Sequence, residues 1–198
     1  MNKENNKLTV IKLAAILFAI TFIATLALTV CNHLTKNRID ELSAQNAEKA
    51  KQEVITGAEF EAVGFDEKDF AGLNILEIFR AEKNGEFAGY CVNVEPTGFG
   101  GGINMFVGIS PDLETLTGIK IISMSETPGL GAKAQEESFS GQFAQNKKAP
   151  LKVVKNTASP LENEIDAISG ATITSDAVVL GVNNAFEAVK LINEKEAE

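Results

Sequence analysis

The alternation of apolar and polar positions changes character along the chain. From Leu13 to Cys31 no charged residue occurs. About 19 uncharged, mostly apolar positions in helical form cross a hydrocarbon core of roughly 30 Å. The stretch 13–31 therefore predicts a transmembrane helix behind a tail of residues 1–12, in preference to a cleaved signal sequence. It is long for one, no Ala-x-Ala site follows, and in Leu28-Thr29-Val30-Cys31 the Val30 is large for a lipoprotein site. From Asn37 to Ile55 the pattern turns amphipathic. Ile39, Leu42, Ala47, Ala50 and Val54 recur mostly three or four residues apart, interrupted by polar Asn46, which predicts a helical stalk over 32–56 that continues the membrane helix or follows a small break.

Residues 57–198 read as one domain of α+β class. Gly57 and Gly64 mark turns, and Asp66 to Phe70 predicts a short helix. Strand-like runs Ile75–Lys83 and Glu86–Glu95 flank Asn84-Gly85, a strong two-residue hairpin signal. A second pair, Ile103–Ile109 and Leu116–Met124, surrounds Pro111-Asp112. Between the pairs lies the glycine loop Thr97–Gly102, which lacks the spacing and the lysine of a P-loop. Pro128-Gly129 carries the signature of a type II turn. Beyond it the pattern predicts a helix over Ala132–Gln145, a short strand over Leu151–Lys155 and a final helix over Ser175–Glu194. The last has an apolar stripe of Val178, Val182, Ala185, Phe186, Val189 and Ile192. The expected architecture is a twisted antiparallel sheet flanked by helices.

Composition removes several function classes. The 198 residues carry a net charge of −9, with no basic stripe for nucleic acid. The single histidine, His33, leaves a zinc site or a Ser-His-Asp triad short of parts. The two cysteines, Cys31 and Cys91, cannot ligate an iron–sulfur cluster, and Cys91 reads as a small apolar core residue. Electron transfer in such a chain requires an organic cofactor.

The most informative chemistry lies in Asp166-Ala-Ile-Ser169-Gly170-Ala171-Thr172-Ile-Thr174-Ser175. Gly170 and Ala171 leave the backbone open to close approach. Thr172 sets a hydroxyl near an expected helix N-terminus, where open N–H groups and the dipole favour a phosphate. The same residues also suit a plain turn into a helix, capped by Thr174 or Ser175 with Asp176 in the first turn.

The spacing Asp-x-x-Ser-Gly-Ala-Thr resembles the motif at which FMN is joined to threonine by a phosphodiester bond. That motif occurs in a family of FMN-binding electron-transfer proteins, comprising the G subunit of Rnf complexes and the C subunit of the sodium-translocating NADH:quinone reductase. Gly89-Tyr90 with Val94, Gly98-Phe99-Gly100-Gly101, and Glu126-Thr127-Pro128-Gly129-Leu130-Gly131 resemble the same family in the same order. The modest length favours the Rnf-type subunit. The resemblance implies FMN on Thr172, attached by a flavin transferase using FAD and magnesium. Asp166, Ser169, Gly170 and Ala171 then act in recognition and access, and Thr174 and Ser175 orient the phosphate. Read from the residues, Glu126, Thr127, Gly129, Leu130 and Gly131 form either a candidate flavin wall or a turn that only reverses the chain. Lys133 is either a candidate to offset phosphate charge or a solvated lysine near a turn.

The implied function is electron transfer within a membrane complex that links reduced ferredoxin to NAD and moves sodium ions or protons. Such a subunit is not catalytic alone, and ferredoxin and NAD fall to partner subunits. Lys3, Lys7 and Lys12 on one side of the apolar run against Lys36 and Arg38 on the other leave orientation open by charge. A short tail, a large C-terminal domain and the resemblance place that domain outside the cytoplasm, on a single-pass anchor in the cell membrane. Rival readings are the quinone-reductase subunit, a free-standing extracytoplasmic flavoprotein, and an anchored scaffold domain whose Ser-Gly-Ala-Thr segment is only a helix cap.

Overall fold

The computed structural model describes residues 3–66, 68–144, 147–155 and 161–196. The chain divides into two units, Met1–Gln45 and Asn46–Glu198. A single helix, α1 (Lys3–Val54), runs through the expected membrane segment and on into the stalk, the first of the two expected arrangements, and starts within the expected tail. No proline or glycine interrupts its sequence.

In the first unit, Ile11–Lys36 is long and apolar enough to cross a membrane, and its side chains are exposed. Thr21, Thr25 and Thr29 donate their hydroxyls to the carbonyls of Leu17, Thr21 and Thr25, at 3.0, 2.8 and 2.8 Å. Back-bonding of this kind satisfies a hydroxyl within its own helix, as an apolar medium requires.

The second unit is built on a five-stranded antiparallel meander: β1 (Glu59–Ala62), β2 (Ile75–Lys83), β3 (Glu86–Val94), β4 (Ile103–Ile109) and β5 (Leu116–Met124), adjacent in sequence order. Asn84 and Gly85 both take positive φ, 55° and 79°, as a tight hairpin demands. β4 and the Gly89–Val94 part of β3 are almost wholly buried because both faces are covered. On one face Tyr90, Val92, Val94, Met105 and Val107 pack with Val178, Val182, Phe186 and Val189 of the last helix, α3 (Thr172–Glu196).

On the other face Cys91, Phe106 and Ala81 pack with Ala50 and Val54 at the end of α1. This accounts for the stripe through Ala50 and Val54; the side chain of Ile39 lies outside the described residues. Lys51 is buried beside them, its ammonium 4.2 Å from the centre of the Phe79 ring and paired with Glu48. Cys91 is fully buried, and burial pushes its thiol far above the usual range.

Several elements differ from expectation. The segment near Asp66–Phe70 is a turn, with the Asp69 N–H donating to the Asp66 carbonyl at 3.0 Å; residue 67 lies outside the described residues. The helix expected over Ala132–Gln145 is three short pieces: a 3-10 turn Gly131–Gln135, α2 (Glu137–Ser140) and a second 3-10 turn Gly141–Ala144. Glu136 is extended (φ −74°, ψ 145°), and the break lets Ala134, Phe139 and Phe143 all reach the core. Gln145 lies outside the described residues. The expected strand Leu151–Lys155 is β6 (Lys152–Val154), which pairs in parallel with an unanticipated β7 (Glu164–Asp166). The final helix begins at Thr172 rather than Ser175.

Candidate functional site at the N-terminus of the last helix

The earlier start of α3 changes what its first turn offers. The Ser175 N–H donates to the Ala171 carbonyl at 3.1 Å, the opening bond of the helix. The amides of Thr172, Ile173 and Thr174 therefore have no intrahelical acceptor. Ala171 brings no side-chain oxygen to cap them. Asp176, expected in the first turn, falls beyond it, and no acidic side chain occupies that turn. The helix's own first turn thus brings no carboxylate to the positive end of its dipole, and its open amides favour a bound phosphate.

A tight turn leads into this helix. The Ala171 N–H donates to the Ile168 carbonyl at 2.9 Å, and Gly170 sits inside the turn at φ 80°, where a side chain is strained. Ser175 is buried and fastens the turn from below, accepting the Ile168 N–H and donating to the Ala171 carbonyl, each at 3.0 Å. Both functions of its hydroxyl are spent on the backbone, so its side chain is a structural brace.

Above the turn lies a cavity of about 370 Å³ lined by Phe99, Glu126, Thr127, Leu130, Gly131, Gly170, Ala171, Thr172, Ile173 and Thr174. Half-buried Thr172 lies on its wall. The Thr127–Leu130 segment is the expected turn: the Leu130 N–H donates to the Thr127 carbonyl at 3.1 Å, with Gly129 at φ 78°. The Glu126 carboxylate is buried, accepting the Gly100 N–H at 3.0 Å through Oε1 and the Thr174 hydroxyl at 2.9 Å through Oε2. Thr174 is thus committed to Glu126 through its side chain, and only its backbone amide is offered to a phosphate.

Of the residues singled out from sequence, Glu126, Thr127, Leu130, Gly131, Gly170, Ala171, Thr172 and Thr174 converge on this cavity. Gly129 forms the turn behind it and has open space around its α-carbon. Asp166 and Ser169 border a neighbouring recess of about 180 Å³, together with Lys133 and Gln142. Sequence reasoning missed Phe99 and Ile173. The signal for Phe99 was available: it is the one large apolar side chain among Gly98, Gly100, Gly101 and Gly102.

The residues present fit FMN. The volume lies within the range of about 300–1,000 Å³ usual for small-molecule sites. Leu130, Ile173 and Phe99 supply apolar surface for a flat ring, and the open amides of α3 supply donors for a phosphate.

The family described as FMN-binding domain matches residues 98–187, from the glycine loop through most of α3. The G subunit of the Na(+)-translocating ferredoxin:NAD(+) oxidoreductase complex of Acetobacterium woodii is 41% identical over 191 residues, covering 90% of each chain. The G subunit of an ion-translocating oxidoreductase complex of Methanosarcina acetivorans is 32% identical over 188 residues, covering 94% of this chain and 96% of that one. Among solved structures, the C subunit of the Na(+)-translocating NADH-quinone reductase of Parabacteroides distasonis shares the fold. The TM-score is 0.57 at 23% identity, over 77% of this chain and 95% of that one. The chain belongs to the G-subunit family of Rnf-type ion-translocating oxidoreductase complexes, and residues 98–187 are its FMN-binding domain.

Proposed function

We propose that this chain is the membrane-anchored electron-transfer subunit of an ion-translocating ferredoxin:NAD oxidoreductase, with FMN joined by a phosphodiester bond to Thr172. The observation that carries the reading is the position of Thr172. It is the first residue of α3, on the wall of the cavity and beside helix amides without intrahelical acceptors. When bound, FMN supplies one- and two-electron redox chemistry. Leu130, Ile173 and Phe99 would provide apolar surface for its ring, and the amides of Thr172, Ile173 and Thr174 would offset phosphate charge.

An aliphatic hydroxyl is a weak nucleophile at neutral pH, and the carboxylate that lines the cavity, Glu126, is already engaged by the Gly100 N–H and the Thr174 hydroxyl. As the family resemblance implies, attachment is the work of a separate flavin transferase with a magnesium ion. The Thr172 oxygen bonds to the phosphorus on the flavin side of FAD, the pyrophosphate bond breaks, AMP leaves, and the hydroxyl proton passes to the transferase's base. Ile11–Lys36 crosses the cell membrane once and holds the FMN domain outside the cytoplasm, where lost FMN has no pool to replace it. Covalent attachment removes that loss. Ferredoxin and NAD are handled by other subunits.

The test is flavin fluorescence of the denatured polypeptide after the complex is extracted in mild detergent. The wild-type band is expected to fluoresce, and Thr172→Ala to stay dark while remaining in the complex. A dark wild-type band from an intact complex overturns the reading and leaves a scaffold domain.

A further inference from the structure

The glycine loop after β3 is tied to the start of α3 by one carboxylate. Glu126 Oε1 accepts the Gly100 N–H at 3.0 Å, and Oε2 accepts the Thr174 hydroxyl at 2.9 Å. The surroundings are cut to fit this group. A Cβ at Gly98 would collide with Oε1, and one at Gly131 with both Oε2 and the Thr174 hydroxyl. A Cβ at Gly100 would strike the Ser125 carbonyl, so the loop can lie this close to the backbone next to Glu126 only with glycine there. The loop is closed on itself as well, with the Gly98 N–H donating to the Gly101 carbonyl at 2.7 Å and a bridge between Thr97 and Gly102.

What this fastening carries is Phe99, which lines the cavity yet is 73% exposed. It does not stand alone: Ile173 and Leu130, 57% and 44% exposed, line the same cavity, and exposed apolar side chains gathered around a cavity mark a binding site. A rigid support is also what holds a side chain at a fixed place against a ligand.

We infer that Phe99 is the cover of the flavin ring, and that Glu126 is the positioning residue that clamps its loop to the helix bearing Thr172. The inference rests on the attachment proposed above. It gives the loop a defined role, which is to exclude water and outside reagents from one face of the ring while leaving the other to a redox partner. Glu126 acts through hydrogen bonds, so glutamine can replace it. Its amide oxygen accepts from Gly100, and its amide nitrogen donates to a reversed Thr174 hydroxyl.

The experiment uses full-length, flavin-loaded chain in detergent and reads two quantities. Quenching of flavin fluorescence by iodide should rise roughly twofold in Phe99→Ala, one face of a two-faced ring being uncovered. Glu126→Ala and Thr174→Val should rise similarly, and Glu126→Gln should stay near wild type. Hydrogen–deuterium exchange over residues 98–102 should quicken in Glu126→Ala and Thr174→Val and remain slow in Glu126→Gln and Phe99→Ala. Should Glu126→Ala not fold, Phe99→Ala and Thr174→Val carry the test, since the first alters an exposed side chain and the second is nearly isosteric. A yellow Phe99→Ala chain quenched no faster than wild type overturns the cover, and unchanged exchange in Thr174→Val overturns the clamp. A wild-type chain with no flavin on Thr172 overturns the attachment reading itself and the cover with it.

Discussion

The side-chain amide of Gln142 grips both backbone groups of Asp166: Oε1 accepts the Asp166 N–H at 2.8 Å, and Nε2 donates to the Asp166 carbonyl at 3.2 Å. The chain leaves β7 at this residue and enters the turn that ends at Thr172. Gln142 thereby sets where the attachment segment begins. Gln142→Ala should cost about 1–3 kcal/mol, two hydrogen bonds of roughly 1 kcal/mol each with some desolvation. It should also lower the fraction of chains carrying flavin. Gln142→Glu keeps an acceptor but loses the donor, and should fall between. Thermal melting and flavin content per polypeptide measure both effects, and an unchanged Gln142→Ala would remove the residue from the account.

Ser175 separates a structural hydroxyl from a chemical one. Ser175→Ala leaves the buried Ile168 N–H without its acceptor, at a cost of about 1–3 kcal/mol. The expected result is a lower melting temperature with flavin still on Thr172. Loss of flavin from an otherwise folded Ser175→Ala chain would return this hydroxyl to the phosphate site.

Acid should act on the turn between β4 and β5. The hydroxyl of Ser110, then that of Thr115 and the Glu114 N–H, donate to the Asp112 carboxylate and hold it well below the usual carboxylate range. A carboxyl whose folded pKa is depressed stabilises above its unfolded pKa of about 3.9, and that contribution fades as pH falls through the folded value. The melting-temperature gap between wild type and Asp112→Ala should therefore be constant above about pH 5 and narrow below about pH 4. A gap independent of pH would show that the carboxylate's charge is not what holds the turn.

The parts of the fold that could be read from sequence are those fixed by neighbours in the chain. Asn84-Gly85 and the strand pattern around it locate β2 to the residue, and Ile103–Ile109 and Leu116–Met124 coincide with β4 and β5. β1 is a four-residue, largely exposed edge strand without alternating burial, and β7 exists through its parallel pairing with β6. Neither leaves a local pattern. The Ala132–Gln145 region keeps helical composition, but Ala134, Phe139 and Phe143 are not spaced to share one helical stripe, and the core took precedence.

At the site, the turn through Gly170 and Ala171 into the last helix was legible because small residues at a helix start have a local cause. Ser175 and Thr174 were not, because their hydroxyl directions depend on the Ile168 amide and on Glu126, a contact made across the fold. Phe99 came to the cavity by the same long-range route.

The central claim is one covalent bond, and it is read most directly by mass. Full-length chain from its native membrane complex is digested, and the peptide containing Thr172 is fragmented. The account predicts an added mass of FMN less one water, carried by Thr172. A bare peptide, or the same mass carried by Thr174, contradicts it.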